Sequence, residues 1–177
     1  MPNSMNQPKT GYSKLSILTH WIGAICVVAL FVTHEGQGAG MKFHVAGGAV
    51  LGVFLIWRVV RRILKGSPPQ SGQHPLLNIL SKLVFLGLLL AIFTVVITGY
   101  FLPWSRGMTI DIYGLFSLPS PMLANHSAHE FFEELHDLAG HALIPLTFLH
   151  IIGALKHRFV DKDQIMQRMV KSQKNGY

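Results

Sequence analysis

Charged residues are scarce in this chain of 177 residues. Only 13% of the residues are Asp, Glu, Lys or Arg, whereas soluble domains carry about 25%. Half of the residues are hydrophobic, and the mean hydropathy is +0.39. The shortage of charge disfavours a soluble protein and predicts an integral membrane protein.

Cysteine is nearly absent. The single cysteine, Cys26, cannot form an internal disulfide and lies within an apolar segment. No CxxCH sequence is present, which excludes covalent attachment of a c-type haem. We therefore interpret Cys26 as a small buried apolar residue.

Four apolar segments reach membrane length. They are Leu15–Thr33, Phe43–Trp57, Leu83–Leu102 and Leu138–Leu155. A spanning helix needs about 20 such residues, and helices or closed barrels alone satisfy their backbone polar groups in lipid. We expect an all-α, integral membrane four-helix bundle over residues 14–158, preceded by a disordered N-terminus (1–13) and followed by a basic tail (159–177). The first segment is too long for a signal-peptide core and lacks a clear A-x-A site, so it is interpreted as a retained helix.

Two local patterns concern the second half of the chain. Pro103–Asn125 is the longest connection, and its mixture of prolines and aromatic residues fits either an interfacial cap over the bundle or a plain loop. Ser127-Ala128-His129-Glu130 fits a capping box and predicts the start of the fourth helix.

The basic residues are distributed unequally between the two ends of the predicted bundle. With the N-terminus inside, the inner side carries 13 Lys and Arg and the outer side two, which gives formal charges of +11 and −4. This is the positive-inside asymmetry of a multi-pass protein in a bacterial inner membrane with both termini in the cytoplasm. The basic side is explained by topology and anionic lipid, and we expect no nucleic-acid partner.

Four histidines lie inside the apolar segments: His20, His44, His136 and His150. Ionisable side chains in hydrocarbon are costly and usually functional. The topology pairs His44 with His136 near the outer side and His20 with His150 near the inner side. His136 and His150, both on the fourth helix, are separated by 14 residues. This spacing is ~21 Å and nearly four whole turns, so the two side chains share a helix face. Facing imidazoles on different helices suit haem iron, so we predict two haem b groups.

Other residues offer alternatives. His34 also follows His20 by 14 residues, and spacing alone leaves it as a rival to His44. Glycines three or four residues from the histidines are expected to clear space for a macrocycle. His141 is interpreted as a packing or hydrogen-bonding residue, and His74 as an exposed loop residue. The pair His126 and His129 is a weak candidate for a surface metal site, less favoured than a solvated loop.

Several short motifs, in this order and spacing, resemble the bacterial cytochrome b561 family over about residues 12–170. They are Thr19-His20-Trp21, Phe43-His44-Val45-Ala46-Gly47-Gly48, Trp57-Arg58, Leu135-His136, and His150 with Lys156-His157-Arg158-Phe159. The resemblance implies two bis-histidine b haems held by His20, His44, His136 and His150, and so favours His44 over His34. It also implies transmembrane electron transfer, in some members between a periplasmic donor and ubiquinone. One branch oxidises superoxide.

Three basic residues and one histidine extend this hypothesis at the inner side. Arg58, Arg61 and Lys156 are candidates to pair with inner haem propionates. His157 is a candidate to protonate a quinone, since imidazole exchanges protons near neutral pH. The electron donor is unidentified; the negative outer side favours a cationic or protein donor over superoxide.

Three other functions stay open from the sequence. One is a superoxide:ubiquinone oxidoreductase. Another is a haem-bearing membrane anchor subunit for a partner dehydrogenase or hydrogenase. The third is a transporter without haem.

Overall fold

The computed structural model describes residues 11–65, 75–162 and 166–172. Four long helices dominate it, and each is long and apolar enough to cross a membrane. They are α1 (Lys14–Thr33), α2 (Ala39–Lys65), α3 (Pro75–Ser105) and α4 (His126–Phe159). The predicted all-α membrane bundle is therefore confirmed. A short 3₁₀ turn, Gln167–Met169, follows in the tail.

The helices are longer than the apolar segments that predicted them. With 34 residues, α4 extends about 51 Å at 1.5 Å per residue, well beyond a hydrocarbon core of about 30 Å. Its cap differs from the prediction. The helix begins at His126, and the side chain of Asn125 accepts a hydrogen bond from the Ala128 amide at 2.9 Å. The capping box at Ser127 was wrong because Asn125, one of the best N-cap residues, supplies the acceptor two residues earlier.

Apolar side chains cover the outside of the bundle as well as its interior. Ile25, Val32 and Leu90 are 68%, 72% and 67% exposed. A soluble monomer rarely exposes apolar surface so continuously, whereas a membrane-spanning helix presents it to lipid. The interior core lies between α2 and α3 and includes Leu55 and Val96.

The connection between α3 and α4 folds back onto the bundle. It contains an antiparallel hairpin of β1 (Ile110–Ile112) and β2 (Phe116–Leu118), with Ile110 opposite Leu118. Ile110 and Ile112 are only 1% and 3% exposed, and both pack against the buried Ala46 and Ala49 of α2. The sequence left an interfacial cap and a plain loop as alternatives for this connection, and the structure shows a cap. We call this end of the bundle the hairpin end, and the opposite end, where Lys14, Lys65, Pro75 and Phe159 lie, the terminal end.

The four helices do not pack evenly. Helix α4 packs along α3, α3 packs on α2, and α2 packs on α1. The backbone of α4, however, barely approaches α1 or α2. We call the space between the backbone of α4 and the backbones of α1 and α2, into which side chains project, the gap.

Three predictions concern residues that are not described. The disordered N-terminus falls largely on residues 1–10, His74 belongs to residues 66–74, and part of the basic tail is residues 173–177. The division of the chain at residues 13/14 and 158/159 stays a prediction.

Gly52 tests the packing of α2 against α3. A Cβ added at Gly52 would lie 2.9 Å from Cγ1 of Val96 and 3.5 Å from the Tyr100 ring. Since valine is stiff in a helix, we expect Gly52→Ala to destabilise the protein by about 1–3 kcal/mol. Thermal unfolding in detergent measures this. Gly40→Ala is the control, because its added Cβ would meet only the Thr33 carbonyl at 3.8 Å. Equal unfolding temperatures for the two variants would contradict the packing described for α2 and α3.

Candidate functional site

The histidine pair at the hairpin end spans the gap between α2 and α4. The ring centroids of His44 and His136 lie 6.1 Å apart, with their planes at 83°. His44 belongs to a π-helical turn, Phe43–Gly47, within α2. Such turns insert one residue and re-aim side chains, often at functional sites. Nδ1 of His44 donates to the carbonyl of Leu30 on α1 at 2.8 Å, which leaves Nε2 as the unprotonated nitrogen of the neutral ring.

The partner His136 is fixed by α3. Nδ1 of His136 lies 3.1 Å from Oγ1 of Thr98. The Thr98 hydroxyl donates to the Thr94 carbonyl at 2.7 Å, so its oxygen accepts from His136. Gly99 lets the ring approach, because an added Cβ would lie 3.2 Å from Cε1 of His136. Both histidines at this end thus carry their proton on Nδ1 and keep Nε2 available for a metal.

The rival residue His34 lies beside this pair. Its ring is 6.4 Å from that of His44. Nδ1 of His34 contacts the Phe31 carbonyl, and its Nε2 lies 3.7 Å from the Glu35 carboxylate. His34 therefore sits at the C-terminal end of α1 with partners of its own, while His44 faces α4 across the gap.

The second pair lies at the terminal end. The rings of His20 and His150 are 6.2 Å apart, with their planes at 68°. Nη2 of Arg58 donates to Nδ1 of His20 at 2.7 Å. The stem of Arg58 passes over Gly23, where an added Cβ would lie 3.2 Å from Cδ of the arginine. The arginine on α2 thus reaches His20 across α1.

Both spacings fit two imidazoles on one metal. With metal–nitrogen bonds of about 2 Å, the centroids of two opposed imidazole rings lie about 6 Å apart. Because α4 stands away from α1 and α2, there is lateral space at each level. At Gly140 and Gly153 on α4, an added Cβ would meet nothing within 4 Å. The residues present therefore fit a flat, bis-histidine group at each pair.

Open space lies at Gly140 and Gly153, where room for a macrocycle stays a prediction, whereas protein groups fill the space at Gly23 and Gly47. Gly23 accommodates the Arg58 stem, and Gly47 accommodates the Tyr113 hydroxyl, 3.1 Å from where its Cβ would be. Both neighbours come from distant parts of the sequence. The sequence did not predict the contacts that Thr98, Gly99 and the Leu30 carbonyl make with the histidines. Hydroxyls, glycines and backbone acceptors are common in apolar helices, so nothing in the sequence singles these out.

The remaining candidate residues surround the terminal end. Arg61 reaches Ser16 Oγ at 3.4 Å, and Lys156 binds both carboxylate oxygens of Asp161 at 2.6 and 2.7 Å. His157 follows His150 by about two turns and so lies on nearly the same face of α4, and its Nδ1 lies 3.4 Å from the same carboxylate. These side chains line the end of the bundle near the His20 pair.

The other histidines have local partners. His141 contacts the Asp137 carbonyl at 2.8 Å, which agrees with the predicted hydrogen-bonding role. His126 pairs with Glu130 and His129 with Glu133, at 3.4 and 3.7 Å. In the described ranges, no group of three or more His, Cys, Asp or Glu residues is placed to hold a metal ion.

Comparison with known proteins gives a match over most of the chain. Residues 11–172 match the family model described as prokaryotic cytochrome b561. The chain belongs to this family. It is also 27% identical, over 94% of each chain, to cytochrome b561 homolog 2 of Escherichia coli strain K12.

Membership confirms the resemblance and gives the general function. The protein is a multi-pass bacterial membrane protein that carries haem b and transfers electrons. Its four apolar helices contact membrane lipid.

Gly99 tests how closely His136 must be held. Gly99→Ala should push the ring, which is also tied to Thr98, away from its position opposite His44. Loss of such support typically costs about 10- to 100-fold in affinity, so we expect reduced haem content per chain. The control is Gly87→Ala, a change on the same helix as Gly99. Its added Cβ meets only the flexible tip of Leu146 on α4, at 3.1 Å. Full haem content in Gly99→Ala would show that the ring position is not critical.

Proposed function

We propose that this chain holds two b haems, one between His44 and His136 and one between His20 and His150, and passes electrons across the membrane. The observation that carries the proposal is that both pairs face each other across the same gap at the spacing of a shared metal, 6.1 and 6.2 Å between ring centroids. Haem supplies reversible one-electron chemistry when bound. With two histidines holding each haem, the site would favour electron transfer over oxygen binding.

The distance between the levels suits a membrane path. His136 and His150 on α4 are separated by ~21 Å along the helix axis, within a hydrocarbon core of about 30 Å. Each pair thus lies near one face of the bilayer. The apolar residues between the two levels have a low dielectric, so a transferred charge is more stable at the two ends of the bundle than between them.

The charge distribution supports a cytoplasmic terminal end. Among the described residues, this end carries Arg58, Arg61, Arg62, Lys65, Lys82, Lys156 and Arg158. The hairpin end and the start of α4 carry Glu35, Asp111, Glu130, Glu133, Glu134 and Asp137. By the positive-inside rule, the termini face the cytoplasm and the hairpin faces the periplasm.

Arg58 is the best placed of the three candidate partners for haem propionates. Its guanidinium already lies at His20, whereas Lys156 is engaged by Asp161 and Arg61 turns toward Ser16. For His20 to bind iron through Nε2, its proton must reside on Nδ1, the nitrogen to which Arg58 donates. With haem bound, Arg58 would have to release this contact, and it could then donate strong charge-assisted hydrogen bonds to a propionate.

The donor at the hairpin end is proposed to be a positively charged protein. Glu130, Glu133, Glu134 and Asp137 are exposed on α4 within two turns of His136. Opposite charge steers partners into productive encounters, while an anionic donor would be repelled. This argues against superoxide as the donor.

The acceptor is proposed to be membrane quinone near the terminal end, with His157 as its proton source. The His157 side chain is only 13% exposed, and Asp161 lies within 3.4 Å of its Nδ1. A carboxylate at this position can orient the ring.

Substitution of single histidines tests the two-haem proposal. We expect two haems per chain in the wild type and about one in His20→Ala, His44→Ala, His136→Ala and His150→Ala, because each change removes one axial ligand. Haem quantitation with reduced-minus-oxidised spectra measures this. His141→Ala and His34→Ala should keep both haems. A wild-type chain with a single haem, or a His34→Ala variant that loses one, would refute the assignment.

Substitution of His157 tests the quinone step. We expect His157→Gln to retain both haems but to reduce quinone about 10²-fold more slowly, since general acid catalysis contributes at least that much. Stopped-flow oxidation of the prereduced protein by a soluble quinone measures the rate. His141→Gln, an equivalent change on the exposed face of α4, should leave it unchanged. An unaltered rate in His157→Gln would assign the proton to another group.

A further inference from the structure

A groove between α1 and α2 at the terminal end is lined by a row of basic residues on one side and a row of hydroxyl residues on the other. On α2, the row is Arg58, Arg61, Arg62 and Lys65, spaced so that all four share one helix face. On α1 and just before it, the row consists of the hydroxyl residues Tyr12, Ser16 and Thr19. His20 and Met169 complete the lining. We call this the arginine groove.

None of the described residues that line the arginine groove is acidic. The positive-inside rule explains why cations lie at this end, but it does not require them to face hydroxyl groups across a groove. Nη2 of Arg61 is 3.4 Å from Ser16 Oγ, while its Nη1 is buried and has no hydrogen-bond partner in the part of the chain that the structure describes. A buried unsatisfied donor costs about 1–3 kcal/mol, and more when it is charged. The groove therefore presents a charged donor that requires an acceptor.

The guanidinium groups of the groove are held in place by neighbouring rings. Arg61 lies over the Trp57 ring at 5.5 Å. Arg62 lies between the rings of Tyr12 and Phe85, at 5.0 and 4.9 Å, and donates to the Tyr12 hydroxyl at 2.8 Å. Such fixed guanidinium planes lose little freedom when they bind an anion, so they are preorganised for one.

The surroundings of the groove indicate which anion. Trp21 Nε1 donates to the Met169 carbonyl at 3.3 Å, so the tail segment that lines the groove meets the lipid-facing surface of α1. Trp21 itself is 51% exposed, as expected for a tryptophan at the lipid–water interface. An anion that carried acyl chains could therefore place its head group in the groove and its chains along α1.

We infer that the arginine groove binds the phosphate group of an anionic membrane phospholipid. Arginine and phosphate form strong, often bidentate, hydrogen bonds, and basic pockets between membrane helices at the cytoplasmic side suit anionic head groups. Arg61 and Arg62 supply the charge, and Tyr12 and Ser16 supply hydroxyl donors. This inference does not depend on the number of haems.

Lipid retention by the purified holoprotein tests the inference. The protein is reconstituted with equal amounts of phosphatidylglycerol and phosphatidylcholine, extracted with mild detergent, and examined by native mass spectrometry. We expect the wild type to retain phosphatidylglycerol selectively and Arg61→Gln to retain at least about tenfold less, because a charge-assisted hydrogen bond is lost. Lys82→Gln removes the same charge from the same end but outside the groove, and it should behave as the wild type.

A second variant separates the groove from net charge and from haem. Tyr12→Phe leaves the charge unchanged and removes the hydroxyl that holds Arg62, so it should also weaken retention. Haem content is measured in every sample. If Arg61→Gln loses haem, lipid retention by Tyr12→Phe is the result that tests the inference. Equal retention of the two lipids, or equal losses in Arg61→Gln and Lys82→Gln, would overturn the inference. Inorganic phosphate at millimolar concentration should not displace the lipid; displacement that depends on Arg61 would assign the groove to free phosphate instead.

Discussion

The contact of imidazole with imidazole across the gap beside α4 is the interaction on which the rest of this structure depends. Helix α4 is held by α3 along its length, whereas its backbone lies away from α1 and α2, toward which it directs His136 and His150. Four such side chains are expensive in hydrocarbon unless something satisfies them. The uneven packing makes sense when the gap is part of the site, because a tightly closed four-helix core would leave no room for a flat group between the rings.

The position of each ring follows from packing that is remote in sequence. His44 is aimed by a π-helical turn, and the Tyr100 hydroxyl donates to the nearby Ala49 carbonyl just after that turn. The hairpin presses on the same stretch, with Ile110 and Ile112 against Ala46 and Ala49. The cap thus supports the segment that carries a ligand candidate as well as covering the end of the bundle.

Hydropathy and residue spacing were sufficient to predict the helices and the pairing of the histidines. Long apolar segments have few alternatives in lipid, and depth follows directly from position along a spanning helix. The start of α4 was misplaced because two capping patterns overlap there, and Asn125 prevails. The roles of Gly23 and Gly47 could not be predicted, since Arg58 and Tyr113 reach them from other elements. A one-residue π insertion likewise leaves hydropathy unchanged, so the local geometry of His44 needed coordinates.

Under the proposed arrangement, the two ends give their haems different electrostatic surroundings. At the hairpin end, both histidines donate from Nδ1 to neutral oxygens of Leu30 and Thr98, which makes them more basic ligands, and exposed carboxylates lie nearby on α4. These features stabilise the oxidised iron. At the terminal end, the cations of the arginine groove stand next to His20 and favour the reduced iron, which carries one positive charge less. Such a difference in potential would favour electron transfer from the hairpin end toward the terminal end, the direction that the proposed outer donor and the proposed quinone site near His157 require.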